Sequence, residues 1–384
     1  GHHVLGDIVA DHHALLGAEV HLGQNVPVVV QIRLAVAAVF IGCIIINSSI
    51  RITAGTINST IYGGGYNCGV KSTNIAISGG TIANNIYGGA YQNNAINTNI
   101  TVTGGNIKGN IYGGSDNNDT TALATSKVTL DGCTIEGSIY GGSKTKGTVN
   151  NAYINLYDGN IPNSKNAVFG SGCGTGTKVV NSRIEIDGIR TVAEIYGGPN
   201  GNVGGETTNS YITVKSLRTG ATSIYGGGLN AKVTKSEITT SPSKTDKYSQ
   251  DEDRYLATTI YGGSKVVTEE GATQTEINTL RSNSKVGTVK ITVNDGGNLN
   301  TAIGVADVLN IYGGGNNVEV GKADIVVNNY TSPKTYLEED DVIITSKDYM
   351  NIYGGSKSGG TTGEVNITVN KGSVNTSCGG GYKS

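Results

Sequence analysis

Short alternating triplets recur along most of the chain. Ile50-Arg51-Ile52, Ile75-Ala76-Ile77, Ile100-Thr101-Val102, Val128-Thr129-Leu130, Ile154-Asn155-Leu156, Ile184-Glu185-Ile186, Ile212-Thr213-Val214, Ile291-Thr292-Val293 and Ile367-Thr368-Val369 are apolar at the outer positions and usually polar in the middle. Period two predicts a strand with one buried face. Small or turn residues such as Gly79-Gly80 follow, then one apolar residue (Ile57, Ile82, Ile107, Ile135). Four residues later comes Ile-Tyr-Gly-Gly, with Ile at 61, 86, 111, 139, 195, 224, 260, 311 and 352, and a variant copy, VFGS, at 168–171. The pattern predicts three short strands per copy, each too short to bury its own face.

The tyrosines follow one another at steps of 25, 25 and 28 residues, and the steps lengthen in the C-terminal third. A period near 25 residues points to a solenoid or an array. Stacking solves the burial problem: like strands pair in parallel, and the isoleucines form internal columns suited to β-branched side chains. The expected fold is all-β, a right-handed parallel β-helix (β-solenoid) of about ten to eleven coils, with loop insertions in the C-terminal coils. The glycines are expected to supply φ > 0 corners between strands. Asn67, Asn93, Asn117, Asn200 and Asn316, after the glycines, suit corners too and can hydrogen-bond up a ladder. No segment shows sustained helical spacing. In Ile-Tyr-Gly-Gly the Ile is expected to point inward and the Tyr outward.

Residues 1–47 lack this texture, so the expected division is an atypical segment, 1–47, and a repeat domain, 48–384. The first segment reads as a cap, a fragment edge or a misread start. Its clean apolar run, 34–46, is short for a membrane span, so no membrane insertion by the repeat domain is expected. The chain of 384 residues has 59 Gly, 15% charged residues and a net charge of −2, with no basic run, which argues against nucleic acid as a partner. Five Cys without a C-x-x-C spacing indicate neither a disulfide framework nor a zinc site. All five His precede residue 22, which excludes a Ser-His-Asp or Cys-His site inside the repeats.

Candidate chemistry is therefore sparse. Outward Tyr62, Tyr87, Tyr112, Tyr140, Tyr196, Tyr225, Tyr261, Tyr312 and Tyr353 would form an aromatic ladder, with Phe169 as its variant step. Such rings can stack on sugars or anchor an interface. Alternatively, rings in one column stack on each other and shield the sheet. Insertions at 241–257, 266–284 and 329–350 place long loops on the solenoid, where binding sites commonly sit. Two acidic clusters lie there: Asp251-Glu252-Asp253, and Glu338-Glu339-Asp340-Asp341. These could coordinate Ca²⁺ or act as acid and base on a glycan, although a solvated charged loop explains them as well. No other cofactor is indicated.

The unit GG-x-I-x-x-x-I-Y-G-G-(G/S), as at 79–90 and 104–115, resembles the repeats of secreted or surface-attached bacterial proteins of adhesin type. More distantly it is similar to the pectin-lyase-like β-helix superfamily. The resemblance implies a structural or adhesive module at the bacterial surface or outside the cell, non-catalytic, with a host or cell-surface glycan or protein as partner. Its alternative is a carbohydrate-active β-helix enzyme, a polysaccharide lyase or glycoside hydrolase. A phage tailspike-like fibre is a third reading. No catalytic residue carries over, because Glu185 and Asp187 show no matching Asp, Arg or Lys on adjacent coils in the sequence. Oligomeric state is left open.

Overall fold

The computed structural model describes residues 30–38, 43–65, 69–92, 95–118, 122–201, 205–217, 222–241, 259–294, 310–329, 350–372 and 374–382, with side chains from Ile46 onward. It is a parallel β-solenoid of about nine turns, slightly fewer than the ten to eleven coils expected, and its order is consistent with a right-handed parallel β-helix. Two sheets run its length. The long sheet stacks Cys43–Ile52, Gly69–Ile82, Ala95–Ile107, Leu123–Ile135, Lys146–Asn160, Gly176–Ile189, Glu206–Leu217, Lys232–Thr240, Val286–Val293, Val320–Val327 and Thr362–Val369. The short sheet stacks eleven rungs from Ile61–Tyr62 to Val374–Cys378. Val30–Ala38 lies antiparallel against Cys43–Ile52, so the paired sheet extends back across residue 48.

The isoleucine columns are the core. Ile100, Val102, Ile107 and Ile111 are fully buried within one coil, and their counterparts above and below continue the same cluster. Each such side chain contributes about 1.5–3 kcal/mol by leaving water. Ile75, Ile100 and Val128 are register partners in successive strands, as are Ile86, Ile111 and Ile139. Like therefore sits on like through most of the stack, until the last rung sets Ser377 and Cys378 against Ile352 and Tyr353.

Three short strands per coil were expected; the first coil has them, with Thr56–Ile57 separate, and the later coils form two. The triplet and the single Ile that follows belong to one strand, as in Ala95–Ile107. The register shifts between Ile77 and Ser78, and again before Thr81, so the strand turns a corner without leaving the ladder. Gly80 and Gly105, at φ of 89° and 92°, make that corner.

The glycines of Ile-Tyr-Gly-Gly do something else. They take ordinary φ, contrary to the expectation that they form left-handed corners. Their role is close approach. A Cβ on Gly88 would sit 2.3 Å from the Gly113 carbonyl oxygen and 2.9 Å from the Thr98 Cβ. Thr98 Oγ1 donates to that same carbonyl at 2.6 Å, and Ser126 repeats the bond to Gly141 one coil later. Left-handed non-glycine corners occur at Asn230 and Asn317 instead.

A third side closes the coil through single parallel bridges, among them Asn117 with Lys146 and Asn200 with Leu229. Among the described residues one helix, Gln274–Asn283, departs from the helix-free expectation. It lies in the 266–284 insertion, buries no residue, and begins with a capping box formed by Thr273 and Glu276. The Thr-x-x-Glu spacing was the sequence signal for it.

Candidate functional site

Alternation within Ile-Tyr turns every tyrosine away from the isoleucine core, as expected. Solvent is not what the rings meet. Tyr87, Tyr112, Tyr140, Tyr196, Tyr225, Tyr261 and Tyr312 are buried in a second apolar cluster with Phe169, and Tyr62 and Tyr353 pack against it half-buried. Successive rings stack with centroids 4.5–5.1 Å apart and planes within 12° of parallel, from Tyr62 to Tyr353. Of the two readings of the outward column, the second holds: the rings stack on each other and shield the sheet, and chain rather than solvent covers them. Their faces, which a sugar ring would need, are taken by neighbouring rings. The chain after the glycines folds back over the rings, bringing Lys144 to 5.9 Å from the Tyr87 centroid and Lys265 to 5.8 Å from that of Tyr225.

The phenol oxygens are held by polar neighbours. Asn110 Nδ2 donates to Tyr112 at 3.2 Å and Asn200 Nδ2 to Tyr140 at 3.0 Å. Tyr196 donates to Glu194 Oε2 at 2.6 Å, and Lys265 Nζ reaches the other oxygen of that carboxylate at 2.5 Å. Burial pushes Tyr140, Tyr261 and Tyr312 up to about 12, and Tyr196 further, because Glu194 adds to the burial effect. Unfolding would release these phenols to their ordinary value of 10.0. The unfolded chain then loses protons first as the pH rises. Stability is therefore full below about pH 10 and is lost as the pH climbs through about 12. We expect tyrosinate absorbance and loss of the β circular-dichroism signal to rise together over that range; phenols that ionise while the β signal persists would refute the linkage.

The acidic clusters Asp251-Glu252-Asp253 and Glu338-Glu339-Asp340-Asp341 lie outside the described residues, as do the five histidines. Among the described residues no group of three or more His, Cys, Asp or Glu is placed to hold a metal ion, and no helix is long and apolar enough to cross a membrane. Cys133 is buried, and its thiol is pushed up to about 12 by that burial, which keeps it unreactive.

A second arrangement, which the sequence reading missed, lies on the open face of the long sheet. Parallel register sets Tyr153, Arg183 and Tyr211 in one row across three coils. The Arg183 guanidinium carbon is 5.7 Å from the Tyr153 ring centroid and 4.9 Å from that of Tyr211, a cation held between two aromatic rings. Two residues earlier on each strand, Asn151, Asn181 and Asn209 form a ladder of amide bonds at 3.1 and 3.0 Å. Two residues later, Glu185 accepts from Lys215 Nζ at 2.7 Å, and Asp187 lies 4.0 Å from the same nitrogen. The adjacent-coil lysine that the sequence did not reveal is thus present. Lys215 is the extra residue at a register shift, where Ile186 pairs with Val214 and Asp187 with Ser216. Its bond to Glu185 raises Lys215, so the ammonium stays protonated. Tyr157 beside them is raised chiefly by desolvation.

Tyr153, Arg183 and Tyr211 each stand one residue before a triplet, and that shared offset was the available signal. Compared with family models, curated proteins and solved structures, the chain gives no match.

Proposed function

We propose that this chain is a non-catalytic structural and adhesive β-helix module of an extracellular or bacterial cell-surface protein. It acts as a stiff spacer that presents its flat side to a host or cell-surface glycan or protein. The observation that carries this reading is the unbroken stack of ten aromatic rings beside a continuous isoleucine core. Each turn rests on the next through ladder bonds, buried Ile and a stacked ring, an arrangement that resists bending more than it favours moving parts. Glycan-array and whole-cell binding test it. The intact chain should bind, and deleting 241–257 and 329–350 should leave binding in place if the sheet face is the contact. Binding lost on deletion assigns the contact to the loops instead. No binding to cells or glycans overturns the adhesive role.

A carbohydrate-active enzyme is the second reading, favoured by Glu185, Asp187 and Lys215 meeting on adjacent coils. A lysine kept protonated by its carboxylate is a poor general base, which weighs against it. Screening acidic and neutral polysaccharides, with and without EDTA, decides the matter: any released product overturns the non-catalytic assignment.

A further inference from the structure

We propose that the row Tyr153–Arg183–Tyr211 binds one oxyanion, a carboxylate or sulfate, carried by a glycan chain that lies along the solenoid axis. The proposal rests on the adhesive reading and names where and what the face would bind.

The row has the chemistry of an anion site. The Arg183 guanidinium carbon lies 5.7 Å from one ring centroid and 4.9 Å from the other along the row, and among the described residues no carboxylate is paired with its N–H edge, which remains to meet a ligand. That edge matches two oxygens of one anion at once. Arg183 is exposed, and among the described residues it forms no ion pair. Glu185, two residues along on the same face, is already engaged by Lys215. The rings restrain the long side chain before any ligand arrives, so less freedom is lost on binding.

The surroundings select a glycan over a peptide. Outward positions beside the row are mostly amides and hydroxyls, Asn151, Asn181, Asn209, Asn155 and Thr213, while the two carboxylates there, Glu185 between Asn155 and Thr213 and Glu237 after Tyr211, are paired with Lys215 and Lys235. The Asn ladder uses only part of each amide's capacity, so donors and acceptors remain for sugar hydroxyls. They repeat at the spacing of neighbouring strands, about 4.8 Å, which is close to the advance of one sugar unit along a linear chain. An acidic peptide would want apolar anchor pockets at the centre of its interface. This face offers ring edges and polar groups.

The test is surface plasmon resonance with the whole chain over polygalacturonate (carboxylate), heparin (sulfate and carboxylate), dextran (neutral) and poly-L-glutamate. We expect binding to polygalacturonate, heparin or both, and none to dextran. Binding to heparin alone assigns sulfate, and binding to polygalacturonate assigns carboxylate. Arg183→Ala should weaken the binding at least tenfold. Arg183→Lys should restore only part of it, since lysine lacks the planar fork. Arg51→Ala removes the same charge from the same face at the first coil, and should change affinity less than twofold. Arg183 is exposed, so its variants should keep the wild-type β signal.

If Arg183→Ala binds an acidic glycan as wild type does, the site is overturned while the adhesive reading stands. Arg183-dependent binding of equal strength to poly-L-glutamate overturns the glycan assignment. Binding to none of the four overturns the site, and the whole-cell assay separately decides the adhesive role.

Discussion

Gly141→Ala destabilises the solenoid by about 3 kcal/mol or more, while Gly379→Ala leaves it unchanged or slightly more stable. Both glycines hold the same place in the repeat, directly after the Tyr140 and Cys378 positions. Neither has a left-handed φ, so the entropy that alanine removes from the unfolded chain, about 0.4–1 kcal/mol, is common to both. The difference is what lies above. At Gly141 a Cβ would fall 2.4 Å from the Gly170 carbonyl oxygen and 3.1 Å from the Ala152 Cβ. The first contact is with backbone of the next coil, which cannot swing aside as a side chain can. Overpacking of this kind costs about 1–3 kcal/mol, and more where backbone must shift. At Gly379 nothing lies within 4 Å. Denaturant unfolding followed by circular dichroism compares the two. An Ala at 141 as benign as one at 379 would show that close stacking is not why the motif keeps its glycine.

Tyr140→Ala should cost about 3–5 kcal/mol, the usual range for deleting a buried aromatic ring. Tyr140 is buried between Tyr112 and Phe169, with centroids 4.8 and 5.1 Å away. Removing its ring leaves two faces without a partner, in a column that no other side chain can refill. Tyr140→Phe should cost about 1 kcal/mol, the worth of one hydrogen bond, here the one that Asn200 donates. Phe169 already occupies the next position of the same column without interrupting the stack. The ring is thus the structural requirement and the hydroxyl a supplement. Thermal unfolding of both variants tests the order. Equal losses would mean that the phenol oxygens hold the column together.

Much of this architecture is legible from residues alone. Ile-Arg-Ile at 50–52 and seven of its eight counterparts fix a buried face by period two, and nothing helical competes with it; in the last, 367–369, Val369 is exposed. The recurrence of Ile-Tyr-Gly-Gly fixes stacking, because a two-residue strand such as Ile111–Tyr112 has no fold of its own. Elsewhere the local pattern points the wrong way. Gly80 separates the triplet from Ile82 and suggests a break, yet the chain stays paired through that corner. The Ile-Tyr alternation turns Tyr87 away from the isoleucine core but does not say what it meets there, and the fold covers it with a segment that lies further along the chain. The Thr273–Glu276 capping box spoke for a helix that apolar spacing did not support.

The candidate site shows the same division. Tyr153, Arg183 and Tyr211 are separated by 30 and 28 residues, so no local window joins them. Glu185 and Lys215 meet only across neighbouring coils, with Lys215 standing at a bulge of its own strand between Val214 and Ser216.

By itself the sequence determined the direction of most apolar side chains in the repeats and the fact that copies lie on copies. Alternation and repetition are properties of neighbours along the chain, and burial of apolar surface needs nothing more to set them. Only the tertiary structure decided which glycines turn and which admit a close neighbour, that the tyrosines are covered, and that Arg183 lies between two rings. Each of those depends on distances between coils, and such distances follow from the register of the stack rather than from any segment of the chain.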